Sequence, residues 1–283
     1  MSATTPTTSG LAEAIGAGRF VLTTGLGTLG GITREELRRR LRVAKEGFAF
    51  VKFGDNPRAR ARPSPWAAAA VALAEGLEPV AHVTCRDRNR LALESDLMGG
   101  RLLGVRNVLC LRGDEVELSD EPDARAVHHL DVVDLIRLAS RVGEGEHYLL
   151  AGCDPNAGAS DSHFARLRQK LDAGASVLES QPVFDGARFA DWLTRLRQAG
   201  IDAPLLVDIS VVTTPGEARL LERIPFIRPP EALEARVRRD RLAGIALAAE
   251  LARAVRELPG VAGCHISSLR GDPEAVLAVA ERI

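Results

Sequence analysis

The sequence predicts an α/β fold, a (β/α)8 TIM barrel with an additional helix between strands 7 and 8. Three observations carry that expectation. Short apolar segments alternate with longer mixed segments, the rhythm of repeated βα units. The strand count reaches eight with no composition break between units, and the 283 residues suit a barrel of about 250 plus one insertion. An open doubly wound sheet is the rival, since its buried parallel strands also read as apolar runs.

The first ten residues, MSATTPTTSG, are small and polar, so 1–10 is expected as a flexible N-terminal tail and 11–283 as a single barrel domain. Strands are expected at 20–24, 48–53, 79–84, 106–111, 147–151, 176–180, 204–209 and 261–266. Helices are expected around 34–46, 65–76, 88–103, 125–142, 161–173, 187–199, 215–223 and 271–282, with one long excursion over 231–258. Thr33 and Glu36 have the spacing of a capping box. Gly47, Gly76, Gly104, Gly143, Gly174 and Gly200 each follow a helix-like segment, where tolerance of positive φ ends the last turn.

Composition excludes several function classes. With 46% apolar and 27% charged residues and a net charge of -1, the chain is neither a disordered tail nor a broad nucleic-acid binder. Arg58, Arg60 and Arg62 make either a local anion site or a solvated loop. No segment approaches the roughly 20 apolar residues that span a bilayer. Four cysteines and no signal peptide point to a cytoplasmic protein without a disulfide framework. Cys110, Cys153, Cys264 and the pair His128-His129 lack metal-ligand spacing, so no metal is expected.

In a barrel the site forms where the strands end at their carboxyl tips. Asp55, Thr84, Arg112, Asp114, Asn156 and Gln181 all fall there. The phrase NVLCLRGDE delivers Arg112, Gly113 and Asp114 to one tip, where the glycine permits close backbone approach and the carboxylate accepts from an NH-rich heteroaromatic ring or simply pairs with arginine. Gln181 carries both donors and an acceptor, suited to an amide-bearing planar ligand or to securing a loop. His82 is either a neutral pocket wall or a satisfied core residue, and Cys85 reads as buried and inert. Lysine occurs only at Lys45, Lys52 and Lys170, which singles out Lys170 as a phosphate or ring-edge contact or else a helix-surface residue.

These phrases resemble the methylenetetrahydrofolate reductase family. AHVTCRDRNR at 81–90, VRNVLCLRGDE at 105–115, RLRQKLDAGASVLESQPVFD at 166–185 and GVAGCHISSL at 260–269 are similar, in order, to the family's segments. The resemblance implies a flavoprotein oxidoreductase of one-carbon metabolism, in which FAD passes a hydride from NADH or NADPH to 5,10-methylenetetrahydrofolate. It places His82 and Arg112-Gly113-Asp114 beside the flavin, Lys170 on a flavin phosphate, and Asp114 and Gln181 at the pterin as the catalytic pair. Asp55, Thr84 and Asn156 complete the expected cofactor-binding set, and a homo-oligomer is plausible for such a family.

One position departs from the pattern. The family's general acid is a glutamate at the end of the first strand, and VLTTGLGTLGG puts Gly25 there. Ring opening of the folate requires a proton at N10, so water or another residue must substitute, and Asp55 at the second strand end is a better candidate than Glu35 or Glu36 in the following helix. Gly54 and the segment LLAGCDPNAG also depart from the family's second and fifth strands. Two alternatives follow: a flavin-free folate-dependent one-carbon enzyme, and a non-catalytic folate-binding paralogue.

Overall fold

The computed structural model describes residues 9–26, 30–121, 123–222 and 227–283. Eight parallel strands close in sequence order: β1 (Val21–Gly25), β2 (Phe50–Phe53), β3 (Glu78–Thr84), β4 (Asn107–Leu111), β5 (Tyr148–Cys153), β6 (Val177–Ser180), β7 (Leu205–Val211) and β8 (Val261–Ser268), with β8 pairing back to β1. The expected (β/α)8 TIM barrel is the fold, and the rival open sheet is excluded by that closure. Eleven helices are described: α1 (Gly10–Gly16), α2 (Arg34–Ala44), α3 (Pro65–Ala74), α4 (Arg90–Leu102), α5 (Val132–Gly143), α6 (Asp161–Asp172), α7 (Gly186–Gln198), α8 (Pro215–Glu222), α9 (Leu233–Arg239), α10 (Leu242–Arg256) and α11 (Pro273–Ala280).

Helix starts follow side-chain caps. Thr33, Asn89, Asp131, Ser160, Asp185 and Asp272 each accept from a backbone N–H in the first turn of the helix they precede. The expected helix at 125–142 begins only at Val132, because His128 has φ +40° and Asp131 caps. Its apolar stripe, including Leu135, Ile136 and Leu138, is then buried against the sheet. Gly76, Gly104, Gly174 and Gly200 take positive φ after their helices, whereas Gly143 is the last helical residue of α5 and Glu144 and Gly145 make the left-handed turn.

The expected excursion at 231–258 is two helices. Asp240 is extended at φ -148° and separates α9 from α10. α10 packs on β7 and β8 as the barrel's own helix, and at its start Gly244 lies so close to Val212 that an added Cβ would sit 1.6 Å from that carbonyl oxygen. α8 and α9 are the true insertion, with a small core of their own around Val212, Leu221, Leu233 and Val237.

α1 closes the amino-terminal end of the barrel. Residues 1–8 of the expected tail lie outside the described residues, whereas Ser9 is buried, caps α1 and donates to Asn107 Oδ1 at 2.6 Å. Leu11 and Ala14 then pack on Val21, Phe50, Val80, Leu109, Leu150, Val177 and Leu206, one inward residue per strand from β1 to β7. The barrel interior is thus apolar at its base, which leaves the opposite end for chemistry. Among the described residues, no helix is long and apolar enough to cross a membrane.

Candidate active site at the barrel mouth

Side chains alternate along a strand, so the residues two positions beyond that apolar ring also point inward. They are Thr23, Lys52, His82, Glu179, Asp208 and His265, with Leu111 and Gly152 completing the circuit. Six of eight positions are polar, immediately below the carboxyl-terminal mouth. Lys52 donates to Glu179 Oε2 in an ion pair whose side chains are 1% and 7% exposed. His265 Nδ1 lies 2.9 Å from Thr23 Oγ1. Asp208 Oδ1 accepts from Ser267 Oγ at 2.8 Å, and Ser267 Oγ lies 3.1 Å from Ser210 Oγ.

The electrostatics separate these groups. Burial pushes the Asp208 carboxyl up to about 7, against the Ser267 hydrogen bond, with the Glu179 carboxylate adding to the rise and Lys52 opposing it. Burial pushes the His82 imidazole down to about 3, and nearby Lys52 adds to this. Burial, Lys52 and His82 together hold His265 well below the usual histidine range. Both imidazoles are therefore neutral at neutral pH, whereas the Asp208 carboxyl is raised into that range.

A second network frames the rim. Asp55 Oδ2 accepts from Thr84 N at 2.8 Å, from Thr84 Oγ1 at 2.9 Å and from Arg88. At 6% exposure its carboxylate is buried among these donors. Burial pushes its pKa up, while Arg88 and the Thr84 donors resist. Arg86, 1% exposed, donates to the Asp114 carbonyl at 3.1 Å and the Asn56 carbonyl at 3.0 Å and pairs with Asp87, so one guanidinium ties the loops after β2, β3 and β4. Gly113 runs against it: its φ is +93° and an added Cβ would sit 2.9 Å from Arg86 Cβ.

The other expected residues divide by accessibility. Asp114 is exposed at the rim and its Oδ2 accepts the Arg58 N–H. Gln181 is exposed after β6, held by its own N–H to the Cys153 carbonyl at 2.9 Å, with no hydrogen bond from its side-chain amide among the described residues. His82 lies on the inner wall, its buried Nε2 without a hydrogen-bond partner. Lys170, half-buried on α6, donates to the Gly152 carbonyl at 2.6 Å and has no ion-pair partner among the described residues; burial lowers its pKa. Asn156 bridges the loops after β5 and β6 through the Pro182 carbonyl at 3.1 Å, and Arg112 pairs with Glu115 at the surface. Burial pushes the Cys85 thiol up to about 12, so it is inert. Among the described residues no His, Cys, Asp and Glu cluster would hold a metal.

Sequence reasoning missed Lys52, Glu179, Asp208 and His265. Each stands two residues beyond an apolar inward residue of its own strand, or in register with one that does, a signal that becomes readable only once the inward parity of each strand is known.

The model of the family described as methylenetetrahydrofolate reductase matches residues 33–283. Methylenetetrahydrofolate reductase 2 of Saccharomyces cerevisiae is 29% identical over 147 residues, 49% of this chain and 24% of that protein. The 5,10-methylenetetrahydrofolate reductases of Pectobacterium carotovorum and Escherichia coli are each 27% identical over 193 residues, covering 68% of this chain and 62% and 63% of theirs. The matches thus span less than two thirds of these relatives. Among solved structures, a Clostridium thermocellum protein that binds two copies of 5-methyl-5,6,7,8-tetrahydrofolic acid superposes with a TM-score of 0.71 at 13% identity, over 95% of this chain and 97% of that one. A 2,3-dimethylmalate lyase reaches 0.53 at 15% identity, over 96% and 84%. At such identities these structures show the shared fold alone.

Proposed function

The chain belongs to the methylenetetrahydrofolate reductase family, and on that premise we propose that it is a methylenetetrahydrofolate reductase-like oxidoreductase. It takes a hydride from NADH or NADPH and delivers it to 5,10-methylenetetrahydrofolate at the carboxyl-terminal mouth of the barrel. The observation that carries this reading is the pair Asp114 and Gln181, both exposed at one rim above a polar barrel interior. A pterin offers ring N–H donors to the Asp114 carboxylate and an amide-like edge to Gln181.

FAD is the expected cofactor, and two residues are open to it. His82 presents a buried nitrogen without a partner, fit for a polar ring edge, and the Lys170 ammonium is fit for a phosphate. When bound, FAD supplies a two-electron carrier between pyridine nucleotide and folate. The protein's own part is to hold Asp114 through Arg86, to exclude water below the rim with the close-packed Lys52–Glu179 pair, and to move a proton to the folate. The flavin-free alternative is favoured by one observation: Asp55 and Thr84 are spent on each other. The non-catalytic alternative draws on Gly25.

The test is turnover of purified protein with NADH or NADPH and 5,10-methylenetetrahydrofolate, with and without added FAD, following 5-methyltetrahydrofolate. Product formation with a flavin absorption spectrum is expected. Product without flavin keeps the reductase and removes FAD from it, and folate binding with neither nucleotide consumed overturns the reductase reading in favour of a one-carbon enzyme without hydride transfer or a non-catalytic paralogue.

A further inference from the structure

Gly25 has no side chain to give a proton, yet it is not surrounded by inert groups. Its register partner on β8 is Ser267. Ser267 Oγ donates to Asp208 Oδ1 on β7 at 2.8 Å, and the Ser210 hydroxyl steadies it from 3.1 Å. A carboxyl and a hydroxyl in contact thus end beside the position the family gives to its acid. Asp208 is itself held from behind, where its N–H donates to Ser180 Oγ at 3.0 Å.

We infer that Asp208 and Ser267 form a proton relay replacing the first-strand acid, with Asp208 as the source and Ser267 Oγ as the group that meets the substrate. This assignment rests on the reductase reading. The neighbouring groups do not compete for the role. Lys52 and Glu179 are spent on each other, and His82 and His265 are neutral imidazoles without a proton to give at neutral pH. Asp55 is engaged by the Thr84 donors and paired with Arg88. The Cys264 thiol is buried on the outer face of β8, where burial and the Asp208 charge push it up to about 12.

The chemistry balances. In its acid form the Asp208 O–H donates to Ser267 Oγ while the Ser267 O–H donates to N10 of methylenetetrahydrofolate. Those two O–H bonds break, one O–H forms on Ser267 and one N–H forms at N10, so serine is regenerated and Asp208 is left as carboxylate. The methylene carbon–N10 bond breaks with its electron pair going to N10. The N5 lone pair makes the carbon–N5 iminium, hydride from the pyridine nucleotide reduces that carbon to methyl, and solvent returns the proton to Asp208.

The experiment measures kcat for folate reduction against pH in the wild type, Asp208→Asn and Ser267→Ala, together with folate affinity and circular dichroism. A relay requires the acid form, so wild-type kcat falls as pH rises through about 7. Asp208→Asn loses about 10²-fold or more and its profile loses that alkaline limb. Ser267→Ala, which leaves Asp208 in place, loses a comparable factor with folding and folate affinity kept. Wild-type turnover with Asp208→Asn within a few-fold and an unchanged profile overturns the relay alone. Absence of wild-type turnover with either nucleotide overturns the reductase reading and the relay with it.

Discussion

Lys52 on β2 and Glu179 on β6 form an ion pair across the barrel axis, between strands that are not neighbours in the sheet. Both side chains are almost wholly buried, so each charge is tolerated only because the other is there. The pair floors the site: apolar packing against α1 lies beneath it, and Asp208 and the rim lie above.

Breaking that pair from one side leaves a buried charge without compensation. Lys52→Met should cost about 3–5 kcal/mol in denaturant unfolding, whereas Lys52→Met with Glu179→Leu should return most of the loss. Equal destabilisation of the single and double variants would mean that packing, not charge, dominates there.

Burial is the main cause of the raised proton affinity of Asp208, and the same two charges adjust it. The Glu179 carboxylate raises it, so Glu179→Gln should move the alkaline limb of kcat to lower pH. A limb that stays in place or moves up would show that Glu179 does not act on the titrating group.

Asp208 also links stability to pH. Its folded carboxyl titrates near 7 against an ordinary 3.8, so the native state binds that proton more tightly than the unfolded chain. Stability present below the unfolded value is lost as pH rises toward about 7. Asp208→Asn, neutral at every pH, should therefore be more stable than wild type above that range, with an upper limit on the order of 4 kcal/mol before its partial exposure is discounted. Thermal melts should show the margin narrowing toward about pH 5. A variant less stable than wild type at alkaline pH would contradict this.

The barrel was legible in the sequence because buried parallel strands are apolar runs and helix ends carry caps, both local signals. Every expected strand overlaps an observed one. The break at Asp240 was not legible: the run around Arg238, Arg239 and Arg241 contains no proline or glycine, and the close approach of Gly244 at the start of α10 to Val212 joins residues far apart in sequence. The rim residues Asp114 and Gln181 stood out as polar groups closing apolar strands. Lys52, Glu179 and Asp208 did not, because each sits inside an apolar strand and its partner is far away in sequence. Charge inside a strand has meaning only once closure brings β2 opposite β6 and β7 beside β8.

Asp114 separates site from scaffold. Its side chain is exposed and accepts one backbone N–H from Arg58, a residue at φ +58°. Asp114→Ala should change stability by no more than about 1 kcal/mol yet sharply reduce folate turnover. Melting temperature and kcat/KM measured on the same preparation decide it: an unchanged kcat/KM removes Asp114 from the site, and a collapse in stability makes it a loop clasp.

Gly25→Glu tests both accounts of the missing acid. The backbone there accepts a side chain, since φ is not positive, but a Cβ would lie 3.2 Å from His265 Nε2, so that ring must yield by a few tenths of an ångström. On β8 the residue in register with Gly25 is Ser267. In the wild-type background the new acid should raise folate reduction modestly, because the relay through Asp208 already delivers a proton. In the Asp208→Asn background it should recover at least about tenfold of the lost rate. Gly25→Ala, which adds the same Cβ without an acid, should recover nothing in either background. Equal recovery by alanine and glutamate would mean that the change acts through His265 and not through proton supply.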